Sequence, residues 1–141
     1  DAVPSIYYVI NGFYPAIREA FTAPGKRITY LLVSWDSKDV SWREFRSNVI
    51  GATAPDKAVP GSIRRRLFDT WQDLSLTSKP NTSENGVHAS AGPLEALAER
   101  SVWLQQPLRQ DPYGSAIMAL GASEEALNAL LDNPVVSLRG R

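Results

Sequence analysis

The chain has 141 residues, 43% of them hydrophobic and 21% charged, which is the size and composition of one globular domain. Lysine plus arginine equals aspartate plus glutamate at 15 each, so the overall charge does not favour binding to nucleic acid or to a membrane, and no apolar run approaches the roughly 18 residues of a spanning helix. With no cysteine and one histidine, disulfides, thiolate metal sites, cysteine nucleophiles and zinc sites with several histidines are excluded.

The amino-terminal part of the chain predicts one helix and one strand. Ile17, Ala20 and Phe21 are spaced as an apolar stripe of a helix, which the Pro-Gly pair at residues 24–25 ends. Residues 28–35, ITYLLVSW, are β-branched, aromatic and almost entirely apolar, which is typical of a strand covered on both faces. We therefore expect a buried strand at this position.

The middle of the chain predicts one well-marked helix between irregular stretches. Ser41 and Glu44 have the spacing of a capping box, and the predicted helix ends at Gly51. Residues 51–61 contain too many prolines and glycines for regular structure. Residues 69–86 are polar, and a loop of this length is uncommon in a compact domain, so we expect a functional loop or an insertion there.

The carboxyl-terminal part predicts two helices and two further strands. Pro93 is suited to the first turn of a helix over residues 93–104. Residues 115–121, SAIMALG, are predicted as a strand, Ser123 as the cap of the next helix, and residues 134–138, PVVSL, as a third strand. Strands mixed with helices indicate an α/β or α+β domain.

Four short motifs carry groups suited to chemistry. Arginines at residues 64–66 can bind phosphate, the Gly-Ala-Thr turn at 51–53 offers a hydroxyl group, and Phe-Tyr-Pro at 13–15 offers aromatic rings. Residues 85–90 bring together an amide, the imidazole of His88 and a hydroxyl group; a neutral imidazole can attack phosphorus when an acceptor such as Glu99 holds its other nitrogen. Taken singly, each motif is better interpreted as an ordinary structural feature.

Taken together and in order, three stretches resemble one family. Residues 13–35, FYPAIREAFTAPGKRITYLLVSW, look like the part of nucleoside diphosphate kinases that runs from the nucleotide-clamping helices into the next strand. Residues 49–64, VIGATAPDKAVPGSIR, resemble the family's Gly-x-Thr-x-Pro and Pro-Gly-Thr-Ile-Arg motifs. Residues 85–104, NGVHASAGPLEALAERSVWL, resemble its Asn-x-x-His-Gly-Ser-Asp signature and the helix that follows. The resemblance covers residues 13–104.

The resemblance implies a phosphotransferase that carries phosphate on a histidine. His88 would take the γ-phosphate of a nucleoside triphosphate and pass it to a diphosphate, with Glu99 orienting its ring. Mg²⁺ would be held by the nucleotide phosphates, and no residue is assigned as a metal ligand. The implied nucleotide-binding residues are Asn85 at the ribose, Thr53 and Arg64 at the phosphates, Ser90 beside the histidine, Phe13 and Ile17 at the base, and, more loosely, Tyr8 near the histidine.

The chain also departs from the family's pattern. No Lys-Pro-Asp strand occurs, Ser47 stands where the family has a second phosphate-binding arginine, with Arg46 adjacent, and Ala89 and Ala91 replace a glycine and an aspartate. Because each lost cation costs a few kcal/mol of transition-state stabilisation, by analogy with a lost oxyanion-hole donor, a second function stays open. This alternative is a catalytically weakened or inactive kinase-fold protein that binds nucleotide or serves as a structural subunit of a larger assembly.

The resemblance predicts a single domain, residues 1–141, with the family's ferredoxin-like α/β sandwich and an insertion at residues 69–84. Two explanations of the absent first strand stay open. Either the domain is truncated, or it is circularly permuted, so that within the atypical region 105–141 the predicted strand, helix and strand of residues 115–138 replace it, with Leu120 at the place of the lysine. The implied partners are nucleoside di- and triphosphates and identical subunits or a larger assembly, with no membrane or nucleic acid. An intracellular location, cytoplasmic or organellar, is expected.

Overall fold

The computed structural model describes residues 8–9, 12–132 and 134, which belong to two compact units, Asp1–Asp39 and Val40–Arg141. The described regular structure is helical: α1 Phe13–Thr22, α2 Trp42–Glu44 continuing as a π-helix over Phe45–Ile50, α3 Ile63–Asp69, α4 Pro93–Leu104, α5 Pro112–Ala119 and α6 Glu124–Leu131, with 3-10 turns at Pro55–Lys57 and Leu108–Gln110. Among these helices, none combines the length and the apolar character that crossing a membrane requires.

The predicted ferredoxin-like α/β sandwich is wrong, because the described residues contain no β-strand. Residues 28–34 form no backbone hydrogen bond within the described part, and a strand exists only when another strand pairs with it. Residues 115–119 of the predicted second strand lie in α5, so the circular permutation with Leu120 in place of the lysine is also wrong. Residues 135–138 of the predicted third strand lie outside the described residues.

Helix α5 forms because strong helix signals at its start outweigh the strand-like residues that follow. Asp111 caps the helix, since its Oδ1 accepts the N–H groups of Tyr113 at 2.8 Å and Gly114 at 3.2 Å. Pro112 occupies the first turn, where its missing N–H costs nothing. The cap therefore decides between helix and strand for a stretch whose apolar composition suits both.

The core of the second unit joins α4, α5 and α6. Its buried members are Leu97, Leu108 and Leu127, and Leu94, Tyr113, Ile117, Met118 and Leu131 pack against them. Gly114 lets α5 approach the preceding turn, because a Cβ atom there would lie 2.2 Å from the carbonyl oxygen of Leu108. The packing of α5, α6 and the turn at Leu108–Gln110 against Leu97 thus fixes the position of α4.

The predicted caps of two other helices are confirmed. Ser41 Oγ accepts the N–H of Glu44 at 3.2 Å while Glu44 Oε2 accepts the N–H of Ser41 at 2.9 Å, and the helical segment ends at Gly51. Ser123 Oγ accepts the N–H of Ala126 at 3.1 Å at the start of α6. The predicted helix over residues 93–104 is likewise confirmed.

The long polar stretch is a loop of turns that is tied down before it ends. Asn81 Oδ1 accepts the N–H groups of Ser83 and Glu84, and the Asn81 N–H donates to the Glu84 carbonyl at 3.1 Å. The ammonium group of Lys79 lies 4.0 Å from the centre of the Phe68 ring, a cation–π contact with the helix that precedes the loop. The loop therefore closes back on α3.

A buried ion pair links α4 to the cap of α5. The carboxylate of Asp111 is 1% exposed, and Arg100 donates to it from Nε at 2.5 Å and from Nη2 at 3.0 Å. Burial raises the pKa of Asp111, but the hydrogen bonds from Arg100, Gly114 and Tyr113 outweigh burial and lower that pKa below its ordinary value. The ionised carboxylate thus stabilises both the helix start and the packing of α4.

We expect Asp111→Ala to lower the free energy of unfolding by about 3–5 kcal/mol, because it leaves a partly buried guanidinium unpaired and α5 uncapped. Urea unfolding measures this change. Glu124→Ala is the matched control, since it breaks the pair with the exposed Arg109 and should cost at most about 1 kcal/mol. Equal costs for the two variants would contradict the role assigned to the buried pair.

The same pair predicts an acid-sensitive part of the stability. Because the pKa of folded Asp111 is lowered, its contribution is present above the ordinary aspartate pKa of about 3.9 and is lost as the pH falls through the folded pKa. Asp111→Asn should therefore show less loss of stability in acid than the parent.

Candidate functional site

His88 and Ser90 share one carboxylate. Nε2 of His88 lies 2.7 Å from Oε1 of Glu99, and Oγ of Ser90 donates to Oε2 of Glu99 at 2.5 Å. The His88 side chain is 72% exposed, whereas that of Glu99 is 28% exposed. The carboxylate therefore serves as a half-buried anchor for an imidazole that projects into solvent.

Helix α4 supplies this anchor together with a second one. Glu95 precedes Glu99 by one turn, so both carboxylates lie on the same face of the helix. Oε2 of Glu95 accepts the N–H of Ala91 at 2.9 Å, near the helix N-terminus where a negative charge is favourable. The segment of residues 85–91, which we call the histidine loop, is thus held by two successive turns of α4.

Arg64 of α3 holds the other side of the histidine loop. Its Nε and Nη2 both donate to the carbonyl oxygen of Val87, at 3.3 and 2.8 Å, and its Nη1 donates to the carbonyl of Gly51 at 3.0 Å. The fork of the guanidinium group suits this double contact. One side chain therefore joins the end of the π-helix to the residue before His88.

Two further donors complete the support of the loop. The Trp42 indole donates from Nε1 to the carbonyl of Ser90 at 3.0 Å, and the Asn85 amide donates to the carbonyl of Thr53 at 3.2 Å. Gly86 has a φ of +82°, and a Cβ atom there would lie 2.6 Å from Cδ1 of Leu67. The positive φ favours glycine at that position, whereas the close contact involves only the mobile end of the Leu67 side chain.

The contact with Glu99 selects one form of the imidazole. An ionised carboxylate only accepts hydrogen bonds, so Nε2 carries the proton that points at Glu99. In the neutral ring, Nδ1 then carries the lone pair, which is the nucleophilic position. The geometry thus presents His88 as an oriented and exposed imidazole.

An open cleft of about 470 Å³ lies beside the histidine loop and is positively charged. Its lining includes Arg43, Arg46 and Arg64, contains no acidic residue, and reaches Ala89, the chain neighbour of His88. Burial, and then the positive charge of Arg46, lower the pKa of the Arg64 guanidinium below its ordinary value. Two like charges so placed, with no carboxylate in the lining, attract an anion.

The π-helix presents part of this cleft. Arg46 and Ser47 lie on it, and short π-helical segments occur frequently at functional sites. Among the described residues, neither Arg43 nor Arg46 forms an ion pair with a carboxylate. Both guanidinium groups are therefore open to an incoming ligand.

The structure brings most of the sequence-predicted site residues together. His88, Glu99 and Ser90 form one cluster, and Thr53 and Arg64 line the adjacent cleft, with Asn85 bonded to the Thr53 backbone. Tyr8, Phe13 and Ile17 belong to the amino-terminal unit, where Tyr8 is exposed, Ile17 is half-buried in α1, and the Phe13 side chain lies outside the described residues. Their contact with a nucleotide base stays a prediction.

Sequence reasoning missed Trp42 and Arg43, and it noticed Arg46 only as a neighbour of Ser47. The available signal was the capping box, because a helix that starts at Ser41 and ends at Gly51 places these residues beside the Gly-Ala-Thr turn. It also assigned Asn85 and Arg64 to ligand contacts only, whereas both support the backbone. These supporting bonds join residues that are distant in sequence and have no local signature.

No protein-family model, no curated protein and no solved structure matches this chain.

We expect Arg64→Lys to lower the free energy of unfolding by about 1–3 kcal/mol, because a lysine cannot reach both carbonyl groups and leaves one without its donor. It should also accelerate hydrogen exchange in residues 85–91. Arg66→Lys, an exposed position on the same helix, is the control and should change stability by less than about 0.5 kcal/mol. Equal stability of the two variants would show that Arg64 does not hold the loop.

Proposed function

We propose that this protein is a phosphotransferase that moves the γ-phosphate of a nucleoside triphosphate to a nucleoside diphosphate through phosphorylated His88. The carrying observation is the cluster in which Glu99 holds both the His88 ring and the Ser90 hydroxyl. A histidine oriented in this way, exposed, and next to an acid-free cationic cleft has the parts that phosphoryl transfer needs: a positioned nucleophile and nearby positive charge.

The reaction consists of two displacements at phosphorus. Nδ1 of His88 attacks the γ-phosphorus, the bond from that phosphorus to the bridging oxygen breaks, and the nucleoside diphosphate leaves with the electron pair. The imidazole becomes positively charged, and Glu99 stabilises that charge through Nε2. In the second half, the terminal oxygen of a diphosphate attacks the phosphorus, and the bond to Nδ1 breaks.

The cleft supplies positive charge around the phosphate oxygens. Arg43 and Arg46 can each donate to them, and Arg64 retains N–H groups beyond those that bind Gly51 and Val87. The resemblance implies a Mg²⁺ ion held by the nucleotide phosphates, which would neutralise part of their negative charge.

The resemblance to nucleoside diphosphate kinases supports the same reaction through the residues that carry it. His88, Glu99, Ser90, Asn85 and Arg64 all match the family's motif positions, and the structure places them within the histidine loop or on the elements that hold it. The proposal stands on this constellation and not on the family's sheet.

Incubation with γ-labelled ATP and Mg²⁺ should label the protein with an acid-labile, base-stable phosphate. His88 is the only histidine, so His88→Ala should abolish the label entirely. Glu99→Gln keeps a side chain of the same shape but loses the charge that stabilises the imidazolium, so we expect labelling roughly 10–100 times slower. Glu84→Gln, an exposed acid near the loop, is the matched control and should label at the parent rate.

Two results would contradict the proposal. One is a parent protein that binds ATP but remains unlabelled. The other is a label that persists in His88→Ala. Label that forms but does not move to an added diphosphate would restrict the protein to the first half of the cycle.

Removal of one cleft cation should weaken nucleotide binding. We expect Arg46→Ala to raise the dissociation constant of ATP by at least about tenfold, because a charge-assisted hydrogen bond contributes about 1.5–3 kcal/mol. Titration calorimetry at two salt concentrations measures this change, and the variant should also show a smaller salt dependence. Arg66→Ala, which removes the same charge outside the cleft lining, should bind like the parent; an equal loss in both variants would mean that only net charge matters.

A second function is favoured by one observation. Arg64, assigned to phosphate by the resemblance, already donates three hydrogen bonds to backbone carbonyls, and Ser47, in place of an arginine, donates to Asn48 at 2.9 Å. This arrangement suits a nucleotide-binding or structural subunit of a larger assembly that has little turnover. Binding of ATP without labelling of His88 would select this second function.

A further inference from the structure

The segment of residues 26–36, KRITYLLVSWD, has the composition of a buried strand but is exposed. Leu31 is 81% exposed, and Tyr30 and Leu32 are each 64% exposed. Within the described residues, no hydrogen bond involves the backbone of residues 27–34. An apolar segment whose backbone N–H and C=O groups form no hydrogen bonds in the part of the chain that the structure describes can pair with another strand.

We propose that this segment pairs with the same segment of a second copy of the chain, as two antiparallel strands related by a two-fold axis at Leu31. Residues directly opposite each other in an antiparallel pair lie on the same face of the sheet. A two-fold axis preserves the face of every residue, so only pairs of two even or two odd positions are allowed. This condition reduces the choice to registers that differ by two residues.

Charge distinguishes the register centred on Leu31 from the two allowed registers next to it. With Leu31 opposite its own copy, Lys26 of one copy lies opposite Asp36 of the second copy, and this contact occurs twice. The register shifted one way places Lys26 opposite Lys38, and the register shifted the other way leaves Asp36 opposite Pro24. Opposite charges stabilise a cross-strand pair and like charges destabilise it, so the register centred on Leu31 is favoured.

The same register pairs suitable side chains between the charged ends. Tyr30 lies opposite Leu32 on one face, and Thr29 lies opposite Val33 on the other. A two-stranded ribbon is marginal alone and needs a helix packed against it. Each copy brings α1, whose apolar stripe includes Phe21, 58% exposed, for this purpose.

Sedimentation velocity of the full chain over a wide concentration range tests the association, with a reversible dimer expected. Lys26→Asp should raise the dimer dissociation constant about tenfold or more, because it creates two like-charge contacts with Asp36. Asp36→Lys should do the same. An equimolar mixture of the two variants should recover the dimer, since both contacts are then complementary. Recovery excludes unfolding as the cause of the loss.

A cysteine scan tests the register, because the chain has no cysteine of its own. Leu31→Cys should form an intermolecular disulfide under mild oxidation, since directly opposite Cβ atoms are about 4.5 Å apart or closer in a non-hydrogen-bonded pair, within reach of the roughly 3.5–4.5 Å that a disulfide needs. Val33→Cys, on the same face, should not, because the two copies of that residue would be four positions apart along the strand, or roughly 13 Å.

Three outcomes would overturn the proposal. The first is a chain that stays monomeric at all concentrations. The second is a dimer whose dissociation constant does not change in Lys26→Asp, which would show that it uses another surface. Equal crosslinking of Leu31→Cys and Val33→Cys would indicate parallel, in-register stacking.

Discussion

The carboxylate of Glu99 is the group on which the arrangement of the candidate site depends. The histidine loop has no regular structure of its own, so the direction of the His88 ring is determined by what holds it. Glu99 belongs to α4, and the opposite side of that helix is fixed by Leu97 in the leucine core. The packing of α4, α5 and α6 therefore determines the position of the His88 ring. A carboxylate attached to a flexible loop could bond the same nitrogen but could not orient it.

Positive charge in the site is divided between support and recognition. Arg64 donates three hydrogen bonds to backbone carbonyls of the histidine loop and of the residue that ends the π-helix, and its charge is partly desolvated there. Arg43 and Arg46 line the same cleft without an ion-pair partner among the described residues. The fork of Arg64 thus supports the backbone around the cleft in which Arg43 and Arg46 are exposed. Such preorganisation lowers the cost of ordering the site when the ligand arrives.

Features governed by neighbouring residues were predictable from the sequence, and features governed by distant residues were not. The capping box at Ser41 follows from the spacing of two residues, and Glu99 was expected beside His88 because it lies on the helix that follows the histidine loop and because the resemblance implies it. The predicted buried strand at residues 28–35 was wrong because an apolar sequence forms a strand only when another strand pairs with it, and composition does not show whether that second strand is present. Helix α5 is an exception, because its start signals, Asp111 at the cap and Pro112 in the first turn, are local, but the apolar composition of the residues that follow was given more weight. Trp42 was missed because its hydrogen-bond partner, the carbonyl of Ser90, lies 48 residues further along the chain.

Several contacts lie between the loop of turns at residues 70–84 and the histidine loop that follows it. Lys79 contacts Phe68 of α3, Asn81 forms a turn with Ser83 and Glu84, and Gly86 then turns the chain before the Val87 carbonyl reaches Arg64. Residues 70–78 lie before all of these contacts, so none of the contacts that hold the histidine loop is made by that stretch. We therefore expect that an insertion between residues 70 and 78, whether natural or engineered, would lengthen this protein without changing the orientation of the His88 ring.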